Sequence, residues 1–205
     1  RSIIKFIPAS GAASRMFKAL HQFLADYRPE DKPLSDFLVE EKSDLLDCFF
    51  AEYKNFAFYD EVMQEIKNSV ENYEALSEDE KHYAFVETLL KEEGLNYANL
   101  PKGLVPFHKY DGYYATAFEE HMYEAALYDE SNGVAKLHFT ISKEHNNDFD
   151  EEMDKIESRV TEKTGVSFET SFSYQKESTD TLAVSMENEP FRLETGEILF
   201  RPGGH

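Results

Sequence analysis

Two cations and a short run of small residues are the parts of this chain best suited to chemistry. A mostly apolar stretch, Ile3 to Pro8, leads into Ala9-Ser10-Gly11-Ala12-Ala13-Ser14-Arg15. The spacing predicts a strand, a tight loop and a helix starting at about Ala12. A helix start leaves backbone N–H groups unpaired at the positive end of its dipole. Phosphate binds readily there. Arg15, in the first turn, would offer the same anion a planar fork of donors. The loop lacks the Gly-Lys-Ser/Thr ending of a P-loop. Gly11 is its only glycine, so it is not the dinucleotide-binding fingerprint either. A strand-to-helix turn packed with small residues accounts for it equally well. The second cation is Lys102, held between Pro101 and Gly103. Alone, that triplet reads as a rigid surface turn with a solvated lysine.

Other titratable side chains fit less well. His145 follows a predicted strand and lies near the mouth of the expected site, where a solvated loop histidine is the simpler reading. His138 is expected to face a helix layer with its ring satisfied. His108 and His121 have no partners at metal-ligand spacing. The acidic run Asp148 to Asp154 suits a helix start, where carboxylates oppose the dipole. It lacks the calcium-loop spacing. Cys48 lies on a helical stripe and is expected to be buried packing. Tyr110, Tyr113, Tyr114, Phe118 and Tyr123 would line a sugar pocket or simply pack. No metal ligands are assigned.

Composition narrows the partners. The 205 residues include 41 acidic and 21 basic side chains, for a formal net charge of -20. Nucleic acid and anionic membranes both require a positive face, so neither is an expected partner. Any polyanionic ligand must meet a local group of cations or a metal ion. Cys48 is the single cysteine, which excludes an internal disulfide and fits a reducing, cytoplasmic setting. No apolar run approaches the roughly 20 residues that span a bilayer. The sequence opens on Arg1, almost inside a strand, and closes on Arg201-Pro202-Gly203-Gly204-His205. Those ends read as cuts in a longer, catalytically more complete chain.

The elements that must position these groups follow from periodicity. Helices are expected at 12–26, 35–54, 59–73 and 77–94, the last opened by a Ser77–Glu80 capping box. Residues 95–114 read as an aromatic loop, and 116–128 as a helix. Leu137, Phe139 and Ile141 alternate with Lys136, His138 and Thr140, which is strand periodicity over 134–141. A helix over 148–162, a strand over 167–174 and short strands at 182–184 and 197–200 complete the pattern. Strand–helix–strand order predicts a three-layer, Rossmann-like α/β domain with a largely parallel sheet. It would comprise residues 1–28 and 95–205, with 29–94 as an inserted all-α block.

The loop before Arg15, followed later by Pro101-Lys102-Gly103, resembles the paired signature of nucleotide-sugar pyrophosphorylases, closest to the UDP-sugar branch. His138-Phe139-Thr140-Ile141-Ser142 is similar to that superfamily's next core strand and loop. Phe172-Ser173-Tyr174-Gln175 is similar to its base-reading strand, and the Gly203-Gly204 loop to the one packed on the base. The chain also resembles a bacterial family of domains of unknown function that shares the Pro-Ala-Ser-Gly-Ala loop. The first resemblance implies a nucleotide-diphospho-sugar transferase fold. It implies binding of a nucleoside triphosphate, UTP favoured, and a sugar phosphate, with nucleotidyl transfer and release of pyrophosphate. Arg15 and Lys102 would be the catalytic cations. Ala9, Ser10, Gly11, Ala12, Gln175, Gly203 and Gly204 would bind the nucleotide. Mg2+ would be the cofactor, its aspartate expected beyond residue 205. The alternative is a non-catalytic nucleotide or sugar-phosphate binding module whose helical block serves as a protein-interaction surface.

Overall fold

The structure, a computed structural model, describes residues 3–193 and 195–201. Its internal contacts divide the chain into two units, residues 1–11 with 121–205, and residues 12–120. The sequence pattern places the boundaries instead at 28/29 and 94/95. The difference has a packing cause. Leu20, Phe23 and Leu24 of the first helix, and Tyr97, Ala98 and Val105 after the last, all belong to the core of the helical unit.

The first unit opens with β1 (Lys5–Pro8). In the second unit, α1 (Lys18–Asp26), α2 (Leu34–Glu41), α3 (Asp44–Glu52), α4 (Tyr59–Ser69) and α5 (Glu78–Leu90) enclose an aromatic core. Phe23 stacks on Tyr27 at 5.0 Å between ring centres and meets Phe37 and Phe50 edge-on. Such tilted and offset contacts add to the area each ring buries. The single helix expected over 35–54 is two helices. Lys42 adopts the left-handed region at φ 49° and ends α2, and the Ser43 hydroxyl then accepts from the Leu46 N–H at 3.4 Å to start α3. The break resets the helical phase. Leu46 and Phe49 turn inward, while Cys48 is exposed, which corrects the expectation that it is buried. The Ser77–Glu80 capping box forms as expected.

Residues 95–114, expected as loop, contain most of a hairpin. β2 (Pro106–Tyr110) and β3 (Tyr113–Thr116) pair antiparallel across Asp111-Gly112, and Gly112 takes the positive φ of 82° that the tight turn requires. α6 (Ala117–Tyr128) then carries the chain over the unit boundary.

The first unit holds a parallel three-stranded sheet in the order β1-β4-β5, with β4 at Val134–Ile141 and β5 at Ser167–Tyr174. Both crossovers step in the same direction. Right-handed connections therefore put their helices on one face. The contacts agree. His121 of α6 lies 6.5 Å from Phe139, Phe149 of α7 (Asn146–Thr164) lies 6.2 Å from Phe172, and the Lys163 ammonium sits 6.0 Å over the Tyr123 ring. Ala135, Leu137, Phe139 and Ile141 are buried beneath these helices. The opposite face carries Phe6, Lys136, His138, Thr140, Ser171 and Ser173, and Phe6 there is 70% exposed. His138 thus stands on the face away from α6 and α7, not against a helix layer. Residues 181–201 fold back in short antiparallel pairings, β6 (Thr181–Leu182) with β7 (Phe200–Arg201). No helix among the described residues is long and apolar enough to cross a membrane.

Candidate phosphate-binding site

The Ala9–Arg15 turn is hydrogen-bonded within each unit. On the first unit's side, the Ala9 N–H donates to Thr140 O at 2.8 Å, and the Ser142 hydroxyl donates to Ser10 O at 3.3 Å. On the second unit's side, Ala12 bridges Pro101, and the Ala13 N–H donates to Leu100 O at 2.9 Å. Ala13 is fully buried in the helical core, so a larger residue has no room there. Pro101 is buried, with its φ held at -58°. A short 3-10 turn, Lys102–Leu104, begins at once behind it. Lys102 and Arg15 are both exposed, and neither forms an ion pair with another described residue. The Ala12–Arg15 end of the loop and the lysine triplet are thus neighbours through their backbones, although Ala12 and Pro101 stand far apart in the chain.

The helix start is not where periodicity puts it. Residues Ala13–Arg15 form a 3-10 turn, and α1 begins at Lys18. Phe17 takes φ -98° and ψ 13°, outside the helix, while its ring packs edge-on against Phe58. Burial of that ring overrides the local preference to start helix at Ala12. The dipole of α1 therefore begins beyond the small-residue loop, and the Ala13 N–H is already committed to Leu100. Gly11 has no positive φ, and a Cβ built on it would meet nothing within 4 Å. The fold itself therefore does not require glycine at that point.

The other expected nucleotide contacts belong to the first unit. Gln175 is half-buried at the end of β5; its N–H donates to Ile141 O at 3.1 Å and its side-chain amide to Asp180 at 3.4 Å. Gly203 and Gly204 lie outside the described residues. His145, at the start of α7, has its Nδ1 2.8 Å from Asp148, which explains one acidic residue of that helix's first turn. Among the described residues, no group of three or more His, Cys, Asp or Glu side chains is placed to hold a metal ion.

Periodicity missed two side-chain groups. In the second unit, Glu120 Oε1 accepts from Tyr110 Oη at 2.8 Å and lies 2.9 Å from His108 Nδ1. The bond to that carboxylate, helped by burial, pushes the Tyr110 hydroxyl up to about 12. Tyr113 stacks on Tyr110 at 5.0 Å, so these rings pack as a wall of the hairpin. In the first unit, His138 joins Ser171 and Ser173. Alternation puts both serines on one face of β5, yet the pairing of β5 with β4 is a tertiary fact.

Neither curated proteins nor solved structures give a match to this chain. The family described as Domain of unknown function (DUF4301) matches residues 1–205, and the chain belongs to that family.

Proposed function

We propose that this chain is a nucleotidyltransferase-like domain that binds a nucleoside triphosphate and a sugar phosphate, with Arg15 and Lys102 as the cations facing phosphate. The observation that carries this reading is the backbone pairing of Ala12 and Ala13 with Pro101 and Leu100. It sets the Ala12–Arg15 end of the loop beside the lysine triplet within the helical unit of a strongly acidic protein. Gly11, which the fold does not require, leaves backbone open to a ligand. The parallel β1-β4-β5 sheet is compatible with a Rossmann-like nucleotide-diphospho-sugar transferase fold. The single cysteine supports a cytoplasmic setting. Nucleotidyl transfer needs in-line positioning and charge neutralisation more than a proton relay, since the attacking phosphate is already anionic. Mg2+ would neutralise triphosphate charge; among the described residues no group of three or more His, Cys, Asp or Glu side chains is placed to hold it.

A second reading is favoured by one specific bond. The Ala13 N–H that would cradle phosphate donates to Leu100 instead, which suits a non-catalytic binding module. Calorimetry with UTP and a UDP-sugar, with and without Mg2+, combined with a pyrophosphate-release assay, separates the two. Arg15→Ala and Lys102→Ala should each weaken binding about 10-fold or more, the value of one charge-assisted contact. Binding with no pyrophosphate release selects the module. Affinity unchanged in both variants removes the phosphate site altogether.

A further inference from the structure

His138 stands near the middle of β4, on the face opposite α6 and α7. Its Nδ1 lies 2.8 Å from Ser171 Oγ and its Nε2 lies 2.9 Å from Ser173 Oγ. The protons can be placed by accounting for donors. A serine hydroxyl has one hydrogen. Ser171 gives its hydrogen to Leu137 O at 3.3 Å. In that arrangement it accepts from His138, and the imidazole proton lies on Nδ1. The Nε2 lone pair is then the acceptor, and Ser173 donates to it. Thr140 Oγ1, 3.3 Å from Ser173 Oγ, donates in turn to the serine oxygen. The Phe6 ring, 5.1 Å from the imidazole, flanks the base. The result is a hydroxyl bonded to a base whose tautomer and plane are fixed by a third group, the arrangement that activates nucleophilic serines on unrelated folds.

We propose that Ser173 is a nucleophile for carboxylic esters and related acyl electrophiles, with His138 as its general base and Ser171 as the positioning residue. Ser173 Oγ forms a bond to the acyl carbon and its proton passes to His138 Nε2. The ester C–O bond breaks, and the leaving alcohol takes up that proton. Water repeats the sequence, freeing the acid and regenerating Ser173. This reaction is separate from the phosphate site and does not depend on Arg15 or Lys102.

A fluorophosphonate probe and p-nitrophenyl acetate, used with the intact chain, test the assignment. The adduct should map to the peptide containing Ser173, and Ser173→Ala should abolish both labelling and ester turnover. His138→Ala should slow labelling about 100-fold or more, the usual contribution of a general base, and added imidazole should restore part of the rate. Ser171→Ala should slow it as well, whereas Ser171→Thr, which keeps the hydroxyl, should not. Circular dichroism and thermal melts establish that each variant is folded. If a variant does not fold, mapping of the native protein decides alone. The assignment is overturned by an adduct on another residue, by the absence of any adduct, or by full labelling in folded His138→Ala.

Discussion

Phe23 is surrounded by rings, whereas Phe6 lies on the surface of a sheet. These two phenylalanines summarise the two units. The helical unit buries its apolar surface inward from five helices, with Tyr27, Phe37, Phe50 and Tyr83 around a residue that is 0% exposed. The sheet unit buries one side of three strands under two helices and keeps a polar row of His138, Thr140, Ser171 and Ser173 on the other. A cluster of rings tolerates helix breaks and shifts of phase, as the Lys42–Ser43 break shows. A sheet face depends on register, since a slip of one residue would exchange Phe139 for His138. The row of His138, Ser171 and Ser173 lies where register is strict, on the polar face of the sheet.

The largest expected effect tests that contrast directly. Phe23→Ala should destabilise the protein by about 3–5 kcal/mol through the cavity it leaves. Phe6→Ala should cost less than about 1 kcal/mol, because that ring is mostly solvated. Urea denaturation measures both, and equal losses would mean that the sheet's second face is as deeply packed as the helical core. Next in size is Ser77→Ala, which removes the hydroxyl half of the α5 capping box, leaves the residue 77 N–H bonded to Glu80, and should cost about 1 kcal/mol. A loss near zero in a thermal melt would show that tertiary packing alone fixes the start of α5.

The smallest effect depends on pH and lies in the sheet unit. Hydrogen bonds from Lys5 first, then His121, hold the Glu124 carboxyl down at about 2, below its ordinary value of 4.5. A lowered carboxyl value in the folded state stabilises the protein above pH 4.5, and that contribution is lost as pH falls towards about 2. Glu124 is close to half exposed, so solvent screening keeps the effect below about 1 kcal/mol. Glu124→Gln should flatten the stability–pH curve in that window, and added salt should do the same to the unaltered protein. An unchanged slope would show that the Lys5–Glu124 pair has no energetic role.

Much of the secondary structure was legible because it rests on local chemistry. The strand at 134–141 shows in strict alternation, and the helix over 146–164 ends at Gly165 in the left-handed conformation. The Ser77–Glu80 box needs only its own backbone. The hairpin at 106–116 carried a legible signal in Asp111-Gly112, but the aromatic crowding around it hid the alternation. The break after Glu41 was marked by Ser43 as an N-cap, yet the apolar stripe continued through it. In the candidate site, Arg15 and Lys102 stood out by type and by their small-residue neighbours. The delayed start of α1 did not, because it is set by the Phe17 ring meeting Phe58, a residue far along the chain.

The sequence alone determined most of the helices and the strands at 134–141 and 167–174, the strongly negative charge, and which side chains are candidates for chemistry, because each depends on residue type and near neighbours. Only the tertiary structure decided that Ala13 pairs with Leu100, that α1 belongs with the helical core, and that His138 meets Ser171 and Ser173. Those pairings join residues far apart in the chain. They are selected by packing and by strand register, neither of which any local window contains.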